Sequence, residues 1–317
     1  MTFLKKQYSW LISGGAGFIG SNLCNLLINN NQKVLCIDNF YTGKIKNISK
    51  LKKSKNFRLI KSDIRILKYS KLFRKIDYVI HLAALGSVSR SIKNPRETNS
   101  VNVDGSINLL ELSKLMNAKK FIFASSSSVY GDLKKEFKVE TDKTCPISPY
   151  GLSKLTFEKY AKIISKNNNL KVVGLRFFNV FGPHQNVEGD YAAVIANWST
   201  QILNNKKIRL NGDGKTSRDF THIDNVLEGI VRSCFYKQVK NFEIFNLACG
   251  NEVSLNALIK NIVKISGRKV KIIKRPFRDG DIKRSKANIN KAKLILGYKV
   301  KTSFKEGIKK YIQYLSI

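Results

Sequence analysis

The chain has 317 residues, and its 43% hydrophobic content is enough to bury a sizeable core and to exclude an intrinsically disordered protein. Its 58 Lys and Arg residues outnumber its 22 Asp and Glu residues, which gives a net charge of +36. Since the lysines and the acids are spread along the chain, we attribute this charge to compositional bias, with an anionic partner or substrate as the alternative.

Cysteine, histidine and apolar patterns argue against several further classes. The five cysteines contain no CxxC pair and the three histidines show no ligand spacing, so we expect neither a disulfide framework nor a metal site. No apolar run approaches the roughly 18 residues of a membrane span. A structured motif begins by Ser13, which leaves no room for a signal peptide. We therefore expect a cytoplasmic protein with no membrane insertion and no nucleic-acid partner.

Apolar runs and helical patterns alternate over the first half of the chain. The runs predict buried parallel strands at residues 8–12, 33–37, 57–61, 78–82, 120–124 and 171–175. Apolar spacings of three and four predict helices at residues 21–29, 102–117 and 150–166. This alternation predicts βαβ units and an α/β fold with a Rossmann-type doubly wound parallel sheet.

A glycine-rich turn follows the first predicted strand and opens the first helix. The glycines of SGGAGFIG at residues 13–20 permit a tight turn and bring backbone N–H groups to a pyrophosphate, at the positive end of the helix dipole. Asp38 ends the second strand, where a carboxylate binds ribose hydroxyls and repels a 2′-phosphate, which predicts NAD rather than NADP. The cofactor-binding candidates are Gly14, Gly17, Phe18, Ile19, Gly20, Asp38, Asn39, Asp63, Ile64, Ala83, Ala84, Tyr150 and Lys154.

The regular alternation of predicted strands and helices ends after residue 178. Turns rich in glycine and asparagine appear at residues 211–214 and 248–251, and the helices are less evenly placed. We therefore predict an NAD-binding Rossmann domain at residues 1–178 and a smaller C-terminal, mainly substrate-binding lobe at residues 179–317. The boundary is soft, and interleaved lobes are the alternative.

Tyr150 and Lys154 lie four residues apart near the start of a predicted helix, so their side chains share one face. A nearby ammonium stabilises phenolate, which lets a tyrosine act as a base nearer neutral pH than its free pKa of about 10 allows. This spacing is common by chance, but Ser126 ends the fifth strand, where ligands of doubly wound sheets bind. Ser126, Tyr150 and Lys154 are therefore the catalytic candidates for removing a proton from a sugar hydroxyl as hydride leaves the same carbon.

These motifs resemble those of the extended short-chain dehydrogenases/reductases, the NAD-dependent nucleotide-sugar epimerase/dehydratase family, over essentially the whole chain. The resemblance places the family's catalytic hydroxyl at Ser126, its base at Tyr150 and its nicotinamide-ribose lysine at Lys154. The dehydratase branch has Thr, Asp and Glu where this chain has Ser126, Ser127 and Ser128, so 4,6-dehydration is disfavoured.

Three stretches resemble a narrower branch, the bacterial UDP-N-acetylglucosamine 4-epimerases: GSVSRS at residues 86–91, YAAVI at 191–195 and GDGKTSRDF at 212–220. The resemblance implies that arginines at 218 and 278 bind the diphosphate and that the acid at 281 binds the uridine ribose. Ser285 stands at a pocket wall where a small side chain leaves room for a 2-acetamido group. The implied substrate-binding residues are Gly86, Ser87, Ser126, Ser127, Ser128, Asn179, Ala193, Val194, Arg218, Arg278, Asp281 and Ser285.

The resemblance implies reversible C4 epimerisation of UDP-N-acetylglucosamine to UDP-N-acetylgalactosamine, through a 4-keto intermediate with bound NAD, for surface polysaccharide synthesis. The first alternative is a 4-epimerase of UDP-glucuronate or UDP-N-acetylglucosaminuronate, because a basic chain offers partners for a C6 carboxylate; the second is a UDP-glucose 4-epimerase. A non-enzyme alternative is an anionic-polymer-binding protein that retains the fold. Relatives pair through a four-helix bundle, which implies a homodimer built on the helices at 102–117 and 150–166.

Overall fold

Strands and helices alternate over the part of the chain that the computed structural model describes, which is residues 4–167, 170–187, 193–237, 240–277 and 284–316. The strands are β1 (Ser9–Ser13), β2 (Lys33–Asp38), β3 (Phe57–Lys61), β4 (Tyr78–His81), β5 (Lys120–Ser126), β6 (Lys171–Phe177), β7 (Val180–Phe181), β8 (Ile208–Asn211), β9 (Ser217–Arg218), β10 (Thr221–His222), β11 (Phe242–Leu247), β12 (Val253–Ser254), β13 (Ile272–Arg275) and β14 (Arg284–Ser285). The α-helices are α1 (Phe18–Asn29), α2 (Val88–Lys93), α3 (Pro95–Asn99), α4 (Gly105–Leu115), α5 (Pro149–Lys166), α6 (Val194–Leu203), α7 (Ile223–Phe235), α8 (Leu255–Ser266), α9 (Asn290–Leu296) and α10 (Phe304–Leu315). Short 3₁₀ segments cover Ile45–Asn47, Ser49–Lys53, Lys71–Phe73 and Ser127–Tyr130, and a π-helical turn covers Ser100–Asp104.

Seven of these strands form a parallel central sheet in the order β11-β6-β5-β4-β1-β2-β3. The chain order reverses between β1 and β4, and ligands of doubly wound sheets bind in the crevice at such a switch. All six predicted strands are present, with ends within two residues of the prediction. The patterns do not predict β11, because Glu243 and Asn246 interrupt its apolar run.

Helices cover both faces of the sheet. α1, α7 and α9 contribute Leu27, Ile230 and Leu296 to one apolar core. α4 and α5 contribute Leu110 and Phe157 to the core on the other face. Coverage on both faces explains why the inner strands are apolar along almost their whole length rather than alternating. The predicted Rossmann-type α/β fold is confirmed.

A smaller lobe has its own core, in which α6, α8 and α10 enclose Trp198, Leu258 and Tyr311. β11, α7 and α9 follow residue 178 in the chain but belong to the central sheet and its covering layer. The C-terminal half therefore contributes to both lobes. Among the described helices, none has the length and apolar composition needed to cross a bilayer.

Candidate active site

The turn between β1 and α1 has no space for a side chain at two of its glycines. Gly14 has φ +72°, and a Cβ atom there would lie 2.6 Å from the backbone nitrogen of Ala83. A Cβ atom on Gly20 would overlap the carbonyl oxygen of Gly14. No described side chain caps the start of α1 at Phe18, which leaves the first N–H groups of the helix for an anionic group. This tight, uncapped turn fits the pyrophosphate of a dinucleotide.

Asp38 holds the segment after β2 against the glycine turn. Its carboxylate accepts hydrogen bonds from the backbone N–H groups of Ala16 at 2.9 Å and Phe40 at 2.8 Å. A Cβ atom on Gly43 would lie 2.7 Å from the same carboxylate, so the backbone crosses closely here. The structure thus places the predicted ribose-binding acid at the end of β2, beside the predicted pyrophosphate site.

Two of the predicted cofactor-binding residues, Asp63 and Ile64, lie after β3. Asp63 accepts a hydrogen bond from Asn39 at 3.0 Å and pairs with Arg65 at 2.7 Å, and the Arg65 hydrogen bond lowers the pKa of Asp63 to about 2. Ile64 is buried and packs on Gly105, where an added Cβ atom would lie 2.8 Å from it. Asp63 therefore contacts the residue that follows β2, and Ile64 contacts the start of α4.

Ser126 at the end of β5 meets the first two turns of α5, which carry Tyr150 and Lys154. A hydrogen bond with Ser126 acts to lower the pKa of Tyr150, but burial has the larger effect and raises it above the usual value. Lys154 is 5% exposed and donates to the carbonyl oxygen of Ala124 at 3.0 Å, and burial lowers the pKa of Lys154 to about 8. The expected net lowering of the Tyr150 pKa is not found, because burial outweighs the lowering contribution.

A chain of buried polar groups connects the glycine turn to α5. His81 contacts the hydroxyls of Ser13 and Ser106 through its two ring nitrogens, both at 2.7 Å, and burial lowers the pKa of His81 to about 3. Asn102, in the π-helical turn, accepts a hydrogen bond from the Ser106 hydroxyl on its backbone carbonyl, and its side-chain amide donates to the Ser153 hydroxyl of α5 at 3.0 Å. The sequence patterns missed this network, since the direction of Asn102 depends on a π-helical turn that has no periodic signal.

A buried ion pair fixes the end of β5 against β6 and α5. Arg176 donates to both carboxylate oxygens of Glu158, at 2.9 and 2.7 Å, and Ser125 donates to the same carboxylate. The guanidinium of Arg176 lies 4.7 Å from the ring centroid of Tyr130, whose hydroxyl donates to Asn246 at 2.7 Å. These contacts hold the strand residue directly before Ser126 in place.

A cavity of about 130 Å³ lies beside the end of β5. Five predicted substrate-binding residues line it, although they are far apart in the chain: Ser127, Ser128, Asn179, Arg218 and Ser285. Ser285 and Arg218 are partners across the paired strands β14 and β9. Gly131 and Lys138 also line the cavity and were not predicted.

Lys138 brings a buried cation to the cavity. Its ammonium donates to the carbonyl oxygens of Leu133 at 2.7 Å and Lys135 at 3.3 Å, and burial lowers the pKa of Lys138. Its backbone N–H donates to the carbonyl of Lys286 at 2.9 Å, next to the cavity-lining Ser285. A single lysine in a lysine-rich chain carries no sequence signal, which explains why it was missed.

Asp219 connects backbone segments next to the cavity-lining residue Arg218. Its buried carboxylate accepts hydrogen bonds from the N–H groups of Cys249 at 2.9 Å, Gly250 at 3.0 Å and Ala287 at 3.2 Å. Burial nevertheless raises the pKa of Asp219 to about 7. The residue therefore ties three separate segments together directly beside Arg218.

The remaining substrate-binding candidates lie elsewhere. Gly86 and Ser87 precede α2, where the Ser87 hydroxyl caps the helix by accepting from the N–H of Arg90 at 3.2 Å. Ala193 and Val194 begin α6. None of these four is among the described residues that line the cavity beside β5. Two candidates fall outside the described residues: Arg278 and Asp281.

The fold and the glycine turn define the chain as a Rossmann-type dinucleotide-binding protein, with a serine, a tyrosine and a lysine gathered at the ends of the central strands. The family model described as GDP-mannose 4,6 dehydratase matches residues 11–311. The chain belongs to this family, whose members are extended short-chain dehydrogenases/reductases.

Relatives and solved structures match over nearly the whole chain. A putative UDP-glucose 4-epimerase of Methanocaldococcus jannaschii is 34% identical over 308 residues, which cover 96% of this chain and 97% of the relative. A UDP-N-acetylglucosamine 4-epimerase of Methanobrevibacter ruminantium, solved with UDP-N-acetylmuramic acid, has a TM-score of 0.93 and 34% identity, covering 98% of this chain and 99% of that one. A UDP-glucuronic acid 4-epimerase of Bacillus cereus, solved with UDP-glucuronic acid and NAD, has a TM-score of 0.89 and 34% identity, and the match covers 97% of this chain and 99% of that one.

Proposed function

We propose that the protein is an NAD-dependent UDP-sugar 4-epimerase that interconverts UDP-N-acetylglucosamine and UDP-N-acetylgalactosamine for surface polysaccharide synthesis. The observation that carries this proposal is the position of Ser126 at the end of β5 next to the start of α5, which carries Tyr150 and Lys154, beside a polar cavity with Ser285 in its wall. The 4-epimerases among the relatives support the reaction class. The relative solved with a UDP-linked N-acetylated sugar supports the substrate class.

The glycine turn, Asp38 and Lys154 are placed to hold NAD, which when bound supplies a hydride acceptor and donor and a cationic nicotinamide ring. To accept the proton of the C4 hydroxyl, Tyr150 must be in its phenolate form, which the positive charges of Lys154 and of bound NAD would favour. Ser126, which ends β5 next to α5, would orient that hydroxyl. Burial raises the Tyr150 pKa and lowers the Lys154 pKa, so the protonation states of both groups would depend on the charge of bound ligands.

The arrangement of the cavity favours a sugar that rotates to present its other face while its diphosphate stays bound. Arg218 is placed to bind the diphosphate, since a planar guanidinium suits bidentate phosphate contacts. Ser285, its neighbour across β14 and β9, leaves room for a 2-acetamido group. Ser127 and Ser128 supply no carboxylate for expelling water, so we expect epimerisation of a 4-keto sugar rather than 4,6-dehydration.

The proposal is tested by NMR of purified protein incubated with UDP-N-acetylglucosamine and no added NAD. We expect UDP-N-acetylgalactosamine to appear, together with release of NAD on denaturation of the protein. Tyr150→Phe should abolish turnover while UDP affinity is retained, and Ser285→Tyr should lose the N-acetylated substrate while keeping UDP-glucose. Absence of product with NAD supplied, or full turnover by Tyr150→Phe, would contradict the proposal.

A uronate 4-epimerase is the second candidate, and Lys138 is the observation that favours it. With Arg218 it places two cations around one small cavity, and the carboxylate of a uronate would be a suitable partner for the second. The same NMR assay with UDP-glucuronate distinguishes the candidates. Lys138→Met should then lower turnover of the uronate at least tenfold more than turnover of UDP-N-acetylglucosamine; an equal effect on both would exclude this role.

We also propose that the protein is a homodimer built on α4 and α5. Leu152, Tyr160 and Ile163 form an exposed apolar face along α5, and Leu115 is exposed at the end of α4. Burial of such a face in a four-helix contact would remove it from water. Sedimentation equilibrium should give twice the monomer mass, and Leu152→Glu with Ile163→Glu should give the monomer. A wild-type monomer at micromolar concentration would refute the proposal.

A further inference from the structure

The surface around the edge strand β3 carries a third of the net charge of the protein. Residues 41–76 make up about one ninth of the chain, yet they contain ten lysines, three arginines and a single acid, which leaves +12 of the total +36. All thirteen cationic residues are exposed, and the single acid, Asp63, is paired with Arg65 at 2.7 Å. A compositional bias spread evenly along the chain does not account for this threefold concentration.

Two segments wrap β3, one on each face of the sheet. The segment before β3 buries Ile48 and Leu51 in the core beneath α1. The segment after β3 buries Leu67, Phe73 and Ile76 in the core on the α4 side. Because β3 is the last strand of the sheet, the cations of both segments share one surface around this edge. We call residues 41–76 the β3 rim.

Large aliphatic side chains stand among the cations of the β3 rim. Ile45, Ile66 and Leu72 are 47%, 74% and 44% exposed. The rim also exposes two tyrosines, but Tyr41 already contacts the guanidinium of Arg90 and Tyr69 packs edge-on against Phe73. Lysines outnumber arginines ten to three, and lysine lacks the bidentate geometry that favours arginine in base recognition. An anionic lipid surface attracts lysines and also accepts aliphatic side chains into its interfacial layer. We propose that the β3 rim is a docking surface for membranes that contain acidic phospholipids.

Docking through the β3 rim leaves the catalytic candidates at the end of β5 open. In the sheet, β3 is separated from β5 by β2, β1 and β4, so Ser126 lies four strands away from the docked edge. A docked protein would therefore bind its substrate from the aqueous phase and keep its activity. The rim includes the cofactor-binding candidates Asp63 and Ile64, but the residues changed in the test below are not among those candidates. Docking and the proposed function can therefore fail separately.

The experiment is co-sedimentation of the full-length protein with vesicles of phosphatidylcholine, with and without phosphatidylglycerol, at about 0.15 M ionic strength. We expect binding to the anionic vesicles and little to the neutral ones. Reversal of three rim charges, with Lys68→Glu, Lys71→Glu and Lys75→Glu, should lower the partition coefficient at least about tenfold. Ile66→Ser with Leu72→Ser should lower it about threefold or more at unchanged charge.

A matched control reverses three exposed lysines of the smaller lobe, Lys260, Lys264 and Lys269, with the same change in net charge. We expect this variant to lower binding less than threefold. The proposal is overturned if the control variant lowers binding as much as the rim variant, if wild type does not bind anionic vesicles, or if duplex DNA binds the rim more tightly than the vesicles do. Unchanged melting temperatures establish that the variants are folded, and a loss of folding in the triple variant leaves the uncharged Ile66→Ser and Leu72→Ser pair as the deciding measurement.

Discussion

Replacement of Gly20 by alanine is expected to weaken NAD binding and to lower the thermal stability, although alanine is the better helix former. Gly20 lies in the first turn of α1. A Cβ atom there would overlap the carbonyl oxygen of Gly14 and lie 2.8 Å from both the carbonyl carbon of Gly14 and the Cα atom of Gly15. All three are backbone atoms, so a change of side-chain rotamer does not relieve the contact.

The size of the effect follows from the distances. Carbon atoms pack at about 3.5–4.0 Å, so α1 and the glycine turn must separate by about 1 Å. Overpacking costs about 1–3 kcal/mol, and the upper end applies because backbone cannot yield easily; the helix propensity of alanine offsets about 1 kcal/mol. With an unfolding entropy of about 2.1 cal/mol/K per residue over a chain of this length, the net loss of about 2 kcal/mol lowers Tm by about 3 °C. A displacement of this size should break at least one backbone N–H contact to the pyrophosphate, and a hydrogen bond to a charged group contributes about 1.5–3 kcal/mol. NAD affinity should therefore fall about 10- to 100-fold.

Calorimetry measures both quantities: scanning calorimetry of cofactor-stripped protein gives Tm, and titration gives the NAD affinity. Gly17→Ala is the matched control, because a Cβ atom at Gly17 meets one atom within 4 Å, the Gly14 carbonyl oxygen at 3.2 Å, and its φ of −76° suits alanine. We expect Gly17→Ala to keep Tm within about 1 °C of wild type. The reasoning is refuted if Gly20→Ala keeps wild-type Tm and NAD affinity, or if Gly17→Ala loses as much stability.

Three further predictions concern buried ionisable groups. Because burial lowers the pKa of Lys154 to about 8, NAD affinity should fall as the pH rises through 8, and Lys154→Arg should remove that fall. A wild-type NAD affinity that does not change up to pH 9.5 would contradict this prediction. Glu158→Gln leaves Arg176 buried without its counter-charge and should lower the unfolding free energy by about 3–5 kcal/mol in urea denaturation, whereas a loss below about 1 kcal/mol would show that the pair contributes little. Burial raises the pKa of Asp219 to about 7, above its unfolded value, so its contribution to stability is present below pH 4 and is lost as the pH rises to 7. The unfolding free energy of wild type should therefore be lower at pH 7.5 than at pH 5, and this difference should be smaller in Asp219→Asn.

Contiguous patterns predicted the central sheet and the cofactor turn. The strands at residues 57–61 and 120–124, the glycine turn and Asp38 are encoded by neighbouring residues whose apolar spacing or backbone freedom acts locally. The same holds for Tyr150 and Lys154, because residues four apart share a helix face wherever that helix packs. The functional roles of these residues remain predictions until the variants above are measured.

The cavity wall shows what local patterns leave open. Arg218 and Ser285 become neighbours only because β14 pairs in parallel with β9, and that pairing depends on long-range hydrogen bonds. Lys138 reaches the same cavity because its backbone is bonded to residues near Ser285, although its identity in a lysine-rich chain is uninformative. Asn102 reaches α5 through a π-helical turn that no periodicity reports.

The sequence by itself determined the alternation of strands and helices, the type of cofactor turn and the identities of the candidate catalytic groups. Only the tertiary structure decided that β11 returns to the central sheet, that one cavity gathers serines and cations from four distant segments, and that the cations of residues 41–76 share one edge. The physical reason is that turn conformation and helix spacing are set by interactions between near neighbours. Strand pairing, burial and the clustering of charge are set by contacts between residues far apart in the chain.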